Sequence, residues 1–260
     1  VSAVLFLEAH TIPYLQIFVR VASIFVLTPV LSLSEMPLTA KGFLAAGLSL
    51  VIYPIVSRHL APATALDLPL FLLLIDHAII GVLIGFFILV YYTAFQMAGA
   101  FYSLKMGFGI INVIDPLSQT SIPILGQFKS LFALVIFIIA NAHHLVIEAL
   151  VYSFRAVPVL ALEAGRPLSG ALTVALSEVF VIAFQLAAPI LGTVMVIEVV
   201  MGVMSKVAPQ MNVMVVGFQV KIVTGLFILW VFMPEVMRLS ERIFDRSFIM
   251  IYQIMGAIAK

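Results

Sequence analysis

Apolar residues arrive in long runs separated by short polar or proline-bearing punctuation. The first run covers about 14–33 and carries Arg20 inside it. Pro29, Pro37, Ser32, Ser34 and Glu35 then mark a turn, because proline lacks an amide donor and restricts the residue before it. A second run, 42–57, stops at Pro54, Arg58 and His59. Asp67-Leu68-Pro69 reads as a helix entry, an Asp cap with proline in the first turn, and the apolar run continues to about 101. Residues 107–123, GFGIINVIDPLSQTSIP, hold two glycines, two prolines and an SQTS patch, which argues against continuous helix. Helix is expected again from 125, through Asn141, Ala142, His143 and His144, to about 154. Pro158 and 163–170 form a connection, and further runs cover 172–204, with a kink expected at Pro189, and 213–233. The tail, 234–260, alternates in amphipathic fashion: Arg238, Glu241, Arg242, Asp245 and Arg246 are polar, whereas Ile243, Phe244, Phe248, Ile251 and Ile254 are apolar. The pattern predicts an all-α protein of apolar helical hairpins with kinked helices, organised as a single domain over 1–260.

Composition sharpens this. Of 260 residues, 64% are apolar, 10% are Asp, Glu, Lys or Arg, and the mean hydropathy is +1.26. A soluble domain carries about a quarter charged residues to cover its surface. A water-soluble monomer is therefore nearly excluded, as is disorder, which needs the opposite composition. A net charge of +1 gives no support to nucleic-acid binding. Zero cysteines remove disulfides, thiolate metal sites and thiol nucleophiles together. No targeting peptide is expected in 1–13, which contains Glu8 and His10 and lacks a basic start.

Runs of about 20 apolar residues suit a bilayer core of roughly 30 Å, so a polytopic membrane protein is the plain reading. The second run is too short to span comfortably, and Arg20, Asp76, Glu178, Glu198 and Lys221 lie inside the others. Each charge would cost roughly 2.5–3.5 kcal/mol at a lipid-exposed helix centre. Such groups must be paired or hydrated. Either the chain pairs them internally or partner subunits supply the counter-charges. Helical spacing puts Gln16, Arg20 and Ser23 on one face, Glu178 with Gln185 on another, and Gly217, Thr224 and Gly225 on the face of Lys221. That last face is narrow enough for another backbone to approach. Gly81 and Gly85 form a GxxxG pair suited to tight helix contact.

Candidate chemistry is sparse. His144 and Glu148 lie one turn apart beside His143, but the HExxH order and a third ligand are missing, so no metal site is expected. Gly107-x-Gly109 lacks a third glycine and a preceding strand, and no Walker or GxSxG motif occurs. Asp76 beside His77 has the make-up of a proton relay or of a local hydrogen-bonded pair. Seven of the 12 methionines fall between Met195 and Met237, a supply of flexible thioethers for an irregular core or a deformable seal. Nothing specifies an enzyme, and no cofactor is implied.

Three separated stretches together resemble the FliR/SctT family of type III secretion export-gate subunits, whose flagellar members are called FliR. They are Met106-Gly107-x-Gly109 with Asp115-Pro116 and Pro123; Asn141-Ala142-His143-His144 with Ser153-Phe154 and Pro158; and Ala208-Pro209-Gln210-Met211-Asn212-Val213 with Gly217-Phe218 and Lys221. Echoes occur at Arg20, Thr28-Pro29, Pro37 and Lys41. Ala142 replaces the family's glycine before the histidine pair, and Gln219 stands where many members have proline.

The resemblance implies a non-enzymatic subunit that joins P-type and Q-type subunits in a helical export gate at the flagellar basal body. That gate lies at the bacterial inner membrane, much of it at or above the periplasmic face. Unfolded proteins pass through its pore, and a B-type switch subunit wraps its cytoplasmic end. It further implies that the loop after Met106 plugs the closed pore: Gly107, Phe108, Gly109, Ile110, Ile111, Asn112, Val113, Ile114, Asp115, Pro116, Leu117 and, at its end, Pro123. Arg20, Asp76, Glu178, Glu198 and Lys221 would then serve as buried charges or subunit contacts, with Asn141, His143, His144, Pro209, Gln210, Asn212 and Gly217 as family-motif positions. The injectisome counterpart of the same gate is the nearest alternative. A solute or ion transporter using Asp76, Glu178, Glu198 and Lys221, and an intramembrane hydrolase using His143, His144 and Glu148, are the readings from other classes.

Overall fold

The structure is a computed structural model that describes residues 2–28, 37–60, 69–107, 124–157 and 165–258. Its described elements are all helical: α1 (Ser2–Leu27), α2 (Leu38–Val56) with a 3-10 turn Ser57–His59, α3 (Leu70–Met106), α4 (Ile124–Ile139), α5 (Ala142–Ala156), α6 (Gly165–Val207), α7 (Val213–Val231) and α8 (Met233–Ile258). Among the described residues, five segments are long and apolar enough to cross a membrane: His10–Leu27, Leu38–Val56, Leu70–Met106, Ser169–Val207 and Val213–Val231.

Several boundaries differ from the sequence expectation. Helix α1 already begins at Ser2 and carries Pro13 within it. Helix α2 starts at Leu38, because the extended Pro37 offers its carbonyl to the amides of Ala40 and Lys41. The added turn gives 19 residues, long enough to span. The continuous helix expected through 141 is broken at Asn141, whose φ of 53° is left-handed. Asparagine tolerates this conformation better than other residues with a side chain, and its carbonyl accepts from His144 N at 3.0 Å to start α5. By contrast, α7 runs unbroken through Gln219, where the family's proline would interrupt it. The Asp cap at 67, residues 29–36 and Pro158 lie outside the described residues, and the connection expected over 163–170 is helix from Gly165 onward, where α6 begins.

The chain divides into two compact units, one of 1–91, 137–176 and 244–260, the other of 92–136 and 177–243. In the first unit, Ile17, Val21 and Ile24 of α1 and Ile80, Ile84 and Phe87 of α3 are buried, and α2 packs on α1 and α5. The glycine pair sets the α1–α3 approach. A Cβ on Gly81 would lie 2.5 Å from the Arg20 carbonyl oxygen, and one on Gly85 would lie 3.0 Å from that of Ile24. Only residues without a side chain allow the backbones so near. Phe137 meets Phe244 edge-on at 5.3 Å, and Phe248, Ile251 and Ile254 of the tail are buried, as its stripe predicted.

The second unit has a small core of Met106, Ile190 and Val194, flanked by Tyr102, Ile228 and Leu229. Helix α7 buries only Gly217 and Gly225 among the residues of its span, while Trp230, Val223 and Phe227 stand exposed. Burial of glycines alone means that neighbours press onto the backbone of α7, while its larger side chains stay partly or fully exposed.

Candidate functional site

The first unit holds a buried cation. The Arg20 side chain is wholly enclosed. A guanidinium presents its donors as a rigid fork, and enclosure is tolerable only if they find acceptors. Arg20 Nε and Nη2 donate to His77 Nδ1 at 3.1 and 2.7 Å, Nη1 donates to Ser153 Oγ at 3.1 Å, and Nη2 also donates to the Val157 carbonyl at 3.1 Å. The Ser153 hydroxyl proton goes to Leu150 O at 2.6 Å, which leaves its oxygen free to accept. An Nδ1 that accepts requires the imidazole proton on Nε2. The Phe154 ring lies 4.1 Å beneath the guanidinium carbon and adds a cation–π contact. Asp76, next to His77, adds electrostatic attraction. One side chain thus ties α1, α3 and the end of α5 together.

The second unit holds an ion cluster at the foot of the 107–123 loop. Ala208 to Asn212 close the α6–α7 hairpin: Met211 N bonds Ala208 O at 3.1 Å, and Asn212 Oδ1 caps α7 through Val215 N at 3.4 Å. Pro209 and Gln210 form the turn between them. The hairpin brings Lys221 Nζ 2.8 Å from Glu198 Oε1, and Lys105, near the end of α3, 3.9 Å from Glu198 Oε2. On the same face of α7, Met201 packs at the open side of Gly217, and Met106 fills the space at Gly225, where a Cβ would lie 2.5 Å from its Cε. Helix α3 ends there: Gly107 takes φ 93° and lies against Phe218, whose ring atoms would be 2.8 Å from an added Cβ. The rest of the proposed plug, Phe108 to Pro123, is outside the described residues.

Of the charges singled out in the sequence, the structure joins Glu198 to Lys221 and gives Arg20 its own polar cage. Glu178 is half-buried in the second unit and also has an interaction partner. His143 lines an apolar cavity of about 450 Å³ with Ile24, Phe25, Leu44 and Leu48. Its ring is 4.2 Å from that of His144. Among the described residues no three His, Asp or Glu side chains gather as a metal would require. Sequence reasoning missed Lys105 as a partner of Glu198 on α6, Met106 as a partner of α7, and His77 and Ser153 as partners of Arg20. The narrow face around Lys221 was a signal for Met106, since small residues at helical spacing imply a close neighbour.

The family described as "Bacterial export proteins, family 1" matches residues 11–247. The chain belongs to this family. Members similar to this export protein include the flagellar biosynthetic protein FliR of Bacillus subtilis (strain 168), 29% identical over 238 residues, which are 89% of this chain and 90% of that one. The FliR of Escherichia coli (strain K12) is 27% identical over 94% of this chain and 93% of its own length. The surface presentation of antigens protein SpaR of Shigella flexneri is 24% identical over 83% and 82%. The matched span contains both the Arg20 cage and the Glu198–Lys221 hairpin.

Proposed function

We propose that this export protein is a non-enzymatic subunit of the flagellar type III protein export gate. It assembles with P-type and Q-type subunits at the inner membrane, contacts a B-type switch subunit, and gives passage to unfolded proteins. The observation that carries the reading is similarity to flagellar biosynthetic proteins over nearly the full length of both partners. The exposed apolar side chains of α6 and α7 support it, because Val196, Val203, Met214 and Trp230 need a lipid or protein cover. The central loop, 107–123, is the plug of the closed pore. Support comes from its aliphatic content and from its firmly seated entrance at Met106 and Gly107. The internal hydrogen bonding of Arg20 and the ion pairing of Glu198 with Lys221 fit a protein-lined site at or above the periplasmic face as well as a bilayer.

Co-expression with P- and Q-type subunits tests assembly: a stable complex is expected on gentle detergent extraction, and a lone chain with solute uptake in liposomes sinks the reading in favour of a transporter. Removing 108–123 is expected to leave the complex intact and make it leak small solutes. The similarity to SpaR keeps the injectisome counterpart as the second reading, decided by whether the chain restores motility to a flagellar null strain.

A further inference from the structure

We propose that the apolar cavity between α1, α2 and α5 is a lipid site. It takes one acyl chain of a membrane glycerophospholipid, whose ester carbonyl accepts a hydrogen bond from His143. The site lies wholly within the first unit, and it holds whether or not the chain works in an export gate.

The cavity measures about 450 Å³. Protein interiors rarely leave voids larger than a water molecule. Its floor is Ile24 and Phe25 of α1 with Val146 and Leu150 of α5, all buried. Water does not fill such a space, because a buried water needs two to four polar partners. Among the described residues, two polar side chains line the wall, those of Thr28 and His143. The Thr28 hydroxyl already donates to Ile24 O at 2.9 Å. His143 Nδ1 is buried and, among the described residues, has no hydrogen-bond partner. The space therefore suits an extended apolar molecule with a polar group at one point. A cavity of roughly 150 Å³ holds a benzene, so one aromatic ring inserted by a partner protein would leave roughly two-thirds of this one empty.

The mouth points to the source. Leu44 of α2 and Ile147 of α5 line the cavity yet stand exposed, and so form its rim. Beside Leu44, Phe43, Leu50 and Val51 are exposed on a helix long and apolar enough to cross a membrane. A surface of that kind meets acyl chains. A chain that passes Leu44 enters the cavity without crossing water. His143 is half-buried, intermediate between floor and rim. With its proton on Nδ1, the ring donates to the carbonyl that follows the acyl chain.

The full chain, purified in gentle detergent with whatever subunits accompany it, is incubated with a diacyl phosphatidylglycerol bearing a diazirine near the acyl terminus, then irradiated. Peptide mass spectrometry is expected to find the label on Phe25, Val146 or Leu150, competed away by unlabelled phospholipid. Leu44, Gly47 and Leu48 share one face of α2 and line the cavity, and a Cβ on Gly47 would meet nothing within 4 Å. Gly47→Leu therefore takes the space of two or more methylenes and weakens floor labelling about tenfold or more. Labelling of Leu50 and Val51 on the outer face stays unchanged. His143→Phe keeps the ring's bulk and removes a roughly fivefold preference for the ester lipid over its ether analogue, which lacks the carbonyl. Floor labelling that survives Gly47→Leu, or an unaltered chain labelled at its outer face alone, overturns the site. Equal binding of ester and ether lipid by the unaltered chain overturns the His143 contact. Should Gly47→Leu fail to assemble, competition at the floor of the unaltered chain decides alone.

Discussion

The Nδ1 of His77 accepts two hydrogen bonds from Arg20, 3.1 Å from Nε and 2.7 Å from Nη2. This places a neutral acceptor, not a carboxylate, directly against a fully enclosed cation. His77→Phe should therefore remove the main acceptor and destabilise the protein by about 3–5 kcal/mol, the usual effect of stranding a buried charge. Arg20→Met leaves unpaired acceptors instead, at about 1–3 kcal/mol. The double variant should lose less than the sum of the two, because neither stranded group remains. Thermal midpoints of the detergent-purified assembly measure all three, and simple additivity would refute the coupling.

Glycine positions should separate by sign. At Gly81 an added methyl meets the Arg20 backbone, which cannot step aside, so Gly81→Ala should destabilise by about 1–3 kcal/mol. At Gly256, in α8, an added methyl meets nothing within 4 Å, and Gly256→Ala should stabilise by up to about 1 kcal/mol. Equal effects at the two sites in the same thermal assay would contradict the α1–α3 packing.

Asn141 supplies the left-handed turn between α4 and α5. Asn141→Gly should be neutral or mildly stabilising. Asn141→Val should lose about 1–2 kcal/mol, since a β-branched side chain collides with its own backbone at positive φ. Protease resistance of the assembled complex reports the difference.

The tail offers a pH test. Tyr252, edge-on to Tyr152 at 4.7 Å, has its phenol held above the usual value, first by burial and then by the negative field of Glu148 and the nearby Tyr152. The unfolded chain gives up this proton at lower pH than the folded one. Any stability tied to it is therefore intact below about pH 10 and is lost as pH rises past that point. Tyr252→Phe should shift the alkaline unfolding limit upward, and an unchanged limit would show that the phenol is not protected.

Periodicity in the chain foretold the helices, the apolar stripe of α8 and the break after Met106, because each depends on neighbours within a few residues. The GxxxG pair foretold a close approach at Gly81 and Gly85, although nothing in it named α1 as the partner. The break at Asn141 escaped, since a lone asparagine inside an apolar run carries too small a local preference to interrupt the pattern.

What the sequence alone determined is an all-helical, oil-rich chain with internal charges that needed company, and a set of spaced motifs matching one export family. Tertiary structure alone decided the company. Arg20 meets groups 57 to 137 residues away, and Met106 meets a glycine in a different helix. Local preferences fix where a helix forms. Which faces meet is settled by burying charge beside acceptors and side chains beside gaps, and those matches exist only once distant segments are brought together.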